Sequence, residues 1–400
     1  MLFGTQTRLS LENFDDGRRR LGDVPAFVRS YALVKKAAAI TNQTLDVVDE
    51  PRCAAIATAC DEIVAGLHSD QFPTALLVGG GGTTANMNLN EVIAARATEL
   101  AGLRVHPNDH VNASQSSNDT YPMAMAMTIL TLAIRPSEAL HELADALMSK
   151  AAEYAGTPYL GRTCVQDAVR LTADKTLAAQ SRAILRGAAE LTTAIDALRA
   201  VPLGATVLGT GVGAPAGFAE RAVATVSTLA RQDLTPTPDP YDALAHLDPY
   251  AAVADASARV SMTIARIAAD LRLRSSGPRG GFAEITLPEL QAGSSIMPAK
   301  VNPIVPEYAM QLSYRIRGAA HTVGYAVAAG ELELNVMEPV IFDAMLDIVD
   351  DLDRSATAMT EQCIIRLRWD GPRRAENLAH ALDERVEQAL HNGYTATLED

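Results

Sequence analysis

Apolar residues recur at helical spacing along most of this chain. Over 28–48, Val28, Leu33, Val34, Ala37, Ala38 and Ile40 fall on one side, the rhythm of an amphipathic helix. Residues 51–67 repeat the pattern after Pro51, and longer helical segments are predicted over 123–156, 172–200, 215–231, 250–274, 304–334 and 341–369. In 250–274, Val253, Val260, Ile264, Ile267 and Leu271 mark one face while alanines fill the others, which predicts a helix buried nearly all round. Alternating apolar and polar runs of the kind strands need are few.

The pattern breaks at polar segments. Val78 leads into Gly79-Gly80-Gly81-Gly82, then Thr83-Thr84-Ala85-Asn86, so 79–90 reads as a polar loop with a helix from about Asn88 to Leu100. His106-Pro107-Asn108-Asp109 opens a second loop that runs to Pro122, and 235–240, with three prolines, is a turn-rich connection. Beyond Gly371-Pro372 the residues become charged, predicting a small helical tail whose last residues, 395–400, are expected to be mobile.

Composition sharpens this picture. A chain of 400 residues predicts two or three domains. Aromatic residues are only 4% and alanine is plentiful, which favours closely approaching helices in a bundle. The formal charge of −14, with no Lys/Arg-rich block, argues against nucleic acid as a partner. An anionic substrate would need local positive charge, for which Lys300 and Arg162 are candidates. The four cysteines, Cys53, Cys60, Cys164 and Cys363, form no Cys-x-x-Cys pair and lack a histidine cluster, so neither a structural zinc site nor a disulfide framework is expected. No signal peptide is recognised at the N-terminus, and the longest apolar stretch, 123–134, is too short to span a bilayer. The cytoplasm is the expected compartment.

The densest candidate chemistry lies in Gly293-Ser294-Ser295-Ile296-Met297-Pro298-Ala299-Lys300-Val301-Asn302-Pro303. Glycine and two prolines restrict the backbone, which predicts an ordered loop carrying hydroxyls, one cation and one amide. That set suits a carboxylate: Lys300 supplies charge, Asn302 a directed hydrogen bond, and a serine can move a proton. Three further segments are dense in hydroxyl and amide groups: 79–90, 114–120 and 161–167. The first is glycine-rich but lacks Gly-Lys-Ser/Thr, so it is a poor phosphate loop. The second, read alone, is equally a helix cap. Four such segments together favour one shared polar site.

These segments resemble the fumarase/aspartase superfamily, and most of all its aspartate ammonia-lyase branch. The run 82–92 resembles the family's first signature region. Residues 106–122, with Gln115-Ser116-Ser117-Asn118-Asp119, resemble the second, and 161–168 resembles the strand-like turn that enters the site. The 293–303 loop matches the family signature, and 328–341 is close to the aspartase form; the resemblance covers about 4–345. It implies an all-α fold, with a long central helix bundle flanked by small N- and C-terminal domains, placed here at 1–105, 106–345 and 346–400. It also implies a homotetramer whose active sites take loops from three chains.

The implied reaction is anti-elimination from a C4 dicarboxylate: L-aspartate gives fumarate and ammonia. Ser294 would be the general base, its alkoxide stabilised by backbone N–H groups of its own loop and assisted by Lys300. Thr83, Ser116 and Ser117 would stabilise the aci-carboxylate formed by proton removal. Lys300, Asn302 and Thr163 would hold the other carboxylate, and Asn118 and Thr163 would face the amino group. The route implies no metal and no organic cofactor, although some members carry a divalent-ion activator site.

Two departures from the family pattern matter. Cys164 stands where the family usually has His or Gln, and a thiol is a weak hydrogen-bond partner. It is either a tolerated change or an opening for a substituted amine as leaving group. The terminal regions are also shorter than usual. Fumarate hydratase, a specialised lyase for modified aspartates, and a catalytically silent binding protein are the competing readings.

Overall fold

The computed structural model describes residues 1–14 and 18–395; of the tail end expected to be mobile, 396–400 lies outside the described residues. Helices dominate. They are α1 (Thr5–Asn13), α2 (Pro25–Thr44), α3 (Glu50–Val64), α4 (Thr83–Ala101), α5 (Ser117–Leu132), α6 (Ile134–Glu153) and α7 (Ala173–Asp196). Then follow α8 (Phe218–Ala230), α9 (Pro240–Ala245), α10 (Asp248–Arg274), α11 (Ile304–Ala328), α12 (Glu338–Ala358), α13 (Arg374–Leu378) and α14 (Asp383–Asn392). Among the described residues, strands are confined to an antiparallel hairpin, β1 (Pro158–Thr163) with β2 (Gln166–Thr172), and a two-residue parallel pair, β3 (Ala200–Val201) with β4 (Thr235–Pro236). The chain forms two compact units. Met1–Ile134, Thr192–Asp255 and Gly318–Val349 make the first; Arg135–Leu191, Ala256–Arg317 and Asp350–Asp400 make the second.

In the first unit α2 is the hub, packed against α3, α5 and α8. Pro25 at its first turn presets the helical φ. Its Phe27 and Tyr31 form an aromatic cluster with Tyr121 and Phe342, ring centroids 4.5 to 6.5 Å apart, all fully buried. The Glu91 carboxylate takes N–H groups of Gly4 at 2.9 Å, Gln6 at 2.8 Å and Thr7 at 3.1 Å, together with the Thr7 hydroxyl at 2.7 Å. One side chain of α4 thereby satisfies the orphan donors at the start of α1.

In the second unit the β1–β2 hairpin is held by the C-terminal helices. The Leu382 N–H donates to the Ala168 carbonyl at 2.9 Å, the Arg374 guanidinium to the Pro158 carbonyl at 2.6 Å, and the Arg170 N–H to the Asp383 carboxylate at 3.0 Å. The charged tail is helical, as its sequence predicts, and its charges hold the hairpin.

Four expectations need correction. Residues 83–90 are the opening turns of α4, because positive φ at Gly79, Gly81 and Gly82 (84°, 65° and 69°) completes the turn before Thr83. The helix expected over 123–156 is two helices, α5 and α6, and α5 begins six residues earlier, where Ser116 and Asp119 form a capping box. The helix expected to 369 ends at Ala358 and passes into a wide turn over Met359–Ile364. Finally, α10 buries Val253, Val260, Ile264, Ile267 and Leu271, yet Ala252, Asp255, Arg259, Met262 and Arg266 form an exposed stripe along it in a single chain.

Candidate functional site

The nine site candidates fall into three groups. Thr83, Ser116, Ser117 and Asn118 gather in the first unit, where the 79–82 turn meets the N-terminus of α5. This approach depends on Gly82: a Cβ there would lie 2.0 Å from the Tyr121 ring. The Thr83 and Ser117 hydroxyls stand 3.3 Å apart. Ser116 caps α5, its hydroxyl oxygen accepting the Asn118 N–H at 3.2 Å while its own N–H donates to Asp119 at 3.0 Å. Ser116 thus caps the helix, while the neighbouring Ser117 hydroxyl faces Thr83. Two hydroxyls, an amide and the positive end of a helix make this an anion-receiving surface.

Beneath it lies a buried polar network. Asn112 Oδ1 accepts from Lys35 Nζ at 2.9 Å and from the Asn86 and Asn90 amides at 3.1 Å each. Lys35 also donates to Gln115 at 3.1 Å. The Tyr31 hydroxyl bridges Asn86 at 3.0 Å and Thr120 at 2.9 Å. Asp119 receives the N–H groups of Gly204 at 3.1 Å and Thr206 at 2.8 Å. Burial lowers the Lys35 ammonium to a pKa of about 7, against the opposing pull of Asp119. Burial likewise raises Asp119 to about 6, although three backbone N–H groups favour its charged form.

In the second unit, Ser294, Lys300 and Asn302 share one loop. Ser294 Oγ accepts the N–H groups of Ile296 at 3.3 Å and Met297 at 3.1 Å. The Gly293 N–H donates to the Lys300 carbonyl at 2.8 Å and the Asn302 amide to the Gly293 carbonyl at 2.9 Å, closing the loop on itself. A Cβ on Gly293 would meet the Lys300 carbonyl oxygen at 2.5 Å, so this closure requires glycine. Lys300 and Asn302 border an open cavity of 580 Å³ that Arg366 and Arg368 also line.

Thr163 and Cys164 form the third group, at the exposed tip of the β1–β2 hairpin. Cys164 and Val165 both have positive φ, 53° and 62°, the mirror-turn geometry of two-residue hairpins. A β-branched valine there is a strained outlier. Arg162, one of the two candidate cations, is committed elsewhere. It pairs with fully buried Glu284 at 2.7 Å, and Arg274 pairs with the other Glu284 oxygen at 2.9 Å. That corrects its reading as a charge available to substrate; Lys300 is exposed.

A family model described as lyase matches residues 2–318. The aspartate ammonia-lyase of Escherichia coli K12 is 40% identical over 369 residues, which span 90% of this chain and 77% of that protein. The chain belongs to the fumarase/aspartase superfamily. A class II fumarate hydratase from Thermosynechococcus vestitus is also 40% identical, over 370 residues covering 91% of this chain and 79% of its own. Among solved structures, the cobalt-bound fumarate lyase:delta crystallin of Brucella melitensis superposes with a TM-score of 0.95 at 38% identity, over 100% of this chain and 88% of that one. A class II fumarase from Schistosoma mansoni gives a TM-score of 0.95 at 31% identity, with coverage of 100% and 88%. The all-α helical-bundle fold of the fumarase/aspartase superfamily is therefore the fold of this lyase.

Sequence reasoning missed several residues on which the lyase's donor cluster rests, Lys35, Asn112 and Asp119 as a buried acid, and it missed Glu338, which lies beside the cluster. Asn86 and Asn90 carried a signal, since four-residue spacing puts two amides on one helix face. Lys35 carried none, because a lysine beside Lys36 in an otherwise apolar helix reads as a solvated end. No helix of the described residues is long and apolar enough to cross a membrane, and no group of three or more His, Cys, Asp or Glu among them is placed to hold a metal ion.

Proposed function

We propose that this lyase catalyses the reversible anti-elimination of ammonia from L-aspartate to give fumarate. The observation that carries the reading is the environment of Ser294, whose Oγ already receives two backbone N–H groups from its own loop. A serine alkoxide is unfavourable in water, and donors fixed in place before reaction lower its cost without reorganisation. Ser294 removes the proton from the carbon next to one carboxylate. The extra charge on that carboxylate is stabilised by Thr83, Ser116 and Ser117. Lys300, Asn302 and Thr163 bind the other carboxylate, and Asn118 and Thr163 face the amine. The C–N electron pair leaves with nitrogen as ammonia.

The site is shared between subunits of a homotetramer in this reading. Its support is the exposed stripe on α10 and the exposure of Tyr314 and Tyr325 on α11, 57% and 78%, faces an isolated chain leaves uncovered. The division at 1–105, 106–345 and 346–400, and a cytoplasmic setting, belong to the same proposal. Mixing Ser294→Ala with Asn118→Ala subunits tests site sharing. Activity regained in hybrids supports it, and hybrids as inactive as the parents remove it.

The 328–341 stretch, close to the aspartase form, favours elimination of ammonia over water. Fumarate hydratase is the second reading, because a fumarate hydratase is as similar to this chain as an aspartase is. Ultraviolet absorbance of fumarate, followed with L-aspartate, L-malate and N-substituted aspartates, separates the readings; turnover of malate alone would overturn the first. Cys164→Gln should change aspartate turnover little, whereas a large gain would mean that Cys164 serves a different leaving group.

A further inference from the structure

Glu338 opens α12, and its side chain is fully buried. Among the described residues, neither carboxyl oxygen has a hydrogen-bond partner, and the nearby Tyr121 hydroxyl has none either. The group nonetheless borders the donor cluster. The Gly81 N–H donates to the Val336 carbonyl at 3.1 Å, so the glycine turn lies on the segment that leads into α12. A Cβ on Gly81 would stand 3.8 Å from Glu338 Oε2 and 3.6 Å from Asn118 Nδ2. Gly81 has no side chain to separate the two. Tyr31 of α2, Tyr121 of α5 and Tyr250 of α10 all lie within electrostatic range of the carboxyl.

We propose that Glu338 and the Asn118 amide form an ammonium subsite that receives the nitrogen leaving the substrate. This rests on the ammonia-lyase reading above. A wholly structural residue at this place would need no ionisable group, and a buried carboxylate without a cation is strongly disfavoured. The acid is accordingly held protonated by its burial until a cation arrives. Nitrogen leaves carbon with the bonding pair, as NH3. The Glu338 carboxyl passes its proton to that nitrogen, and ammonium and carboxylate then neutralise each other. When ammonium departs, Glu338 takes one proton back from solvent, which balances the one Ser294 drew from carbon and releases. The Asn118 amide offers its oxygen to an ammonium proton after a half-turn about its terminal bond.

The test is the reverse reaction on the intact enzyme. Michaelis constants for ammonium and for fumarate are measured for the native protein, Glu338→Gln and Glu338→Met. Glutamine mimics the protonated acid, so the fold of the uncharged state is kept. The expected result is a rise of about 10- to 100-fold in the KM for ammonium, the scale of a lost charged hydrogen bond. The KM for fumarate should stay within about twofold, as for a group that does not bind it. Infrared difference spectra of the native protein supply a readout that needs no variant. Ammonium chloride should remove a protonated-carboxyl band that sodium chloride leaves in place. An unchanged ammonium KM in Glu338→Gln, equal changes in both Michaelis constants, or an ammonium-insensitive band would overturn the proposal. A native enzyme that fails to aminate fumarate overturns the ammonia-lyase reading, whereas the infrared measurement judges the ammonium site by itself.

Discussion

Thr83, Ser117 and Asn118 stand on a buried network of Lys35, Asn86, Asn90, Asn112 and Tyr31, with Asp119 fixed by two distant backbone N–H groups. Ser294, Lys300 and Asn302 lie instead on a solvent-facing loop closed mainly by its own backbone. The first region spends buried polar groups on fixing donors; the second leaves the Ser294 hydroxyl half-buried and Lys300 exposed. Groups that stabilise developing charge work best when they cannot reorganise. In the proposed reaction Ser294 must instead admit substrate, take a proton and release it, which a closed interior would prevent.

The largest expected effect comes from the accessible side of this comparison. Ser294→Ala should reduce kcat by about 10²- to 10⁴-fold, the usual contribution of a general base, with little change in the urea midpoint. Loss of stability instead of turnover would make the loop a structural element and erase the contrast.

Second is the buried Glu284 that holds Arg162 and Arg274 beside the hairpin tip. Glu284→Leu should destabilise the second unit by about 3–5 kcal/mol, because it strands two guanidinium groups. Urea unfolding measures this, and a neutral outcome would mean the hairpin is held by the C-terminal helices alone.

The third prediction concerns the supporting network. Lys35 has a folded pKa of about 7 against 10.5 for the free side chain, so between those values the folded protein carries fewer protons than the unfolded chain. Stability must then rise as pH increases across that window, by up to about 1.4 kcal/mol per pH unit. Lys35→Met should lack this rise, seen as urea midpoints that converge with the native protein at high pH. Asp119 acts in the opposite sense and lower down: its raised pKa makes stability fall as pH climbs from 3.8 through about 6. Parallel pH profiles for native protein and variant would place Lys35 in contact with water.

The smallest effect is at the strained tip. Val165→Gly should stabilise the protein by about 1 kcal/mol, since glycine accepts positive φ without the cost a β-branched residue bears. A loss of stability would mean the valine side chain is held by packing.

Helical rhythm made most of the fold legible: α2, α3, α7, α8, α10 and α11 begin within three residues of their expected starts. Boundaries failed where capping or turn chemistry decided them. Four glycines masked the start of α4 at Thr83, and Ser116 started α5 before its apolar run began. The 293–303 loop was readable as candidate chemistry because its residues are contiguous in the sequence. The supports of the donor cluster were not, because Lys35 and Asn112 join its network only through tertiary folding, which also brings Glu338 beside it. Arg162 misled for the same reason: charge is visible in a sequence, but the partner that neutralises it is not.

The attachment of Glu91 to the first helix bears on how this protein can be handled. Met1 is 87% exposed, so a purification tag joined ahead of it meets no obstacle. Trimming the chain back past Thr7 is another matter. It would remove all four donors gathered on Glu91 and uncover that carboxylate on α4, which should lower the stability of the first unit.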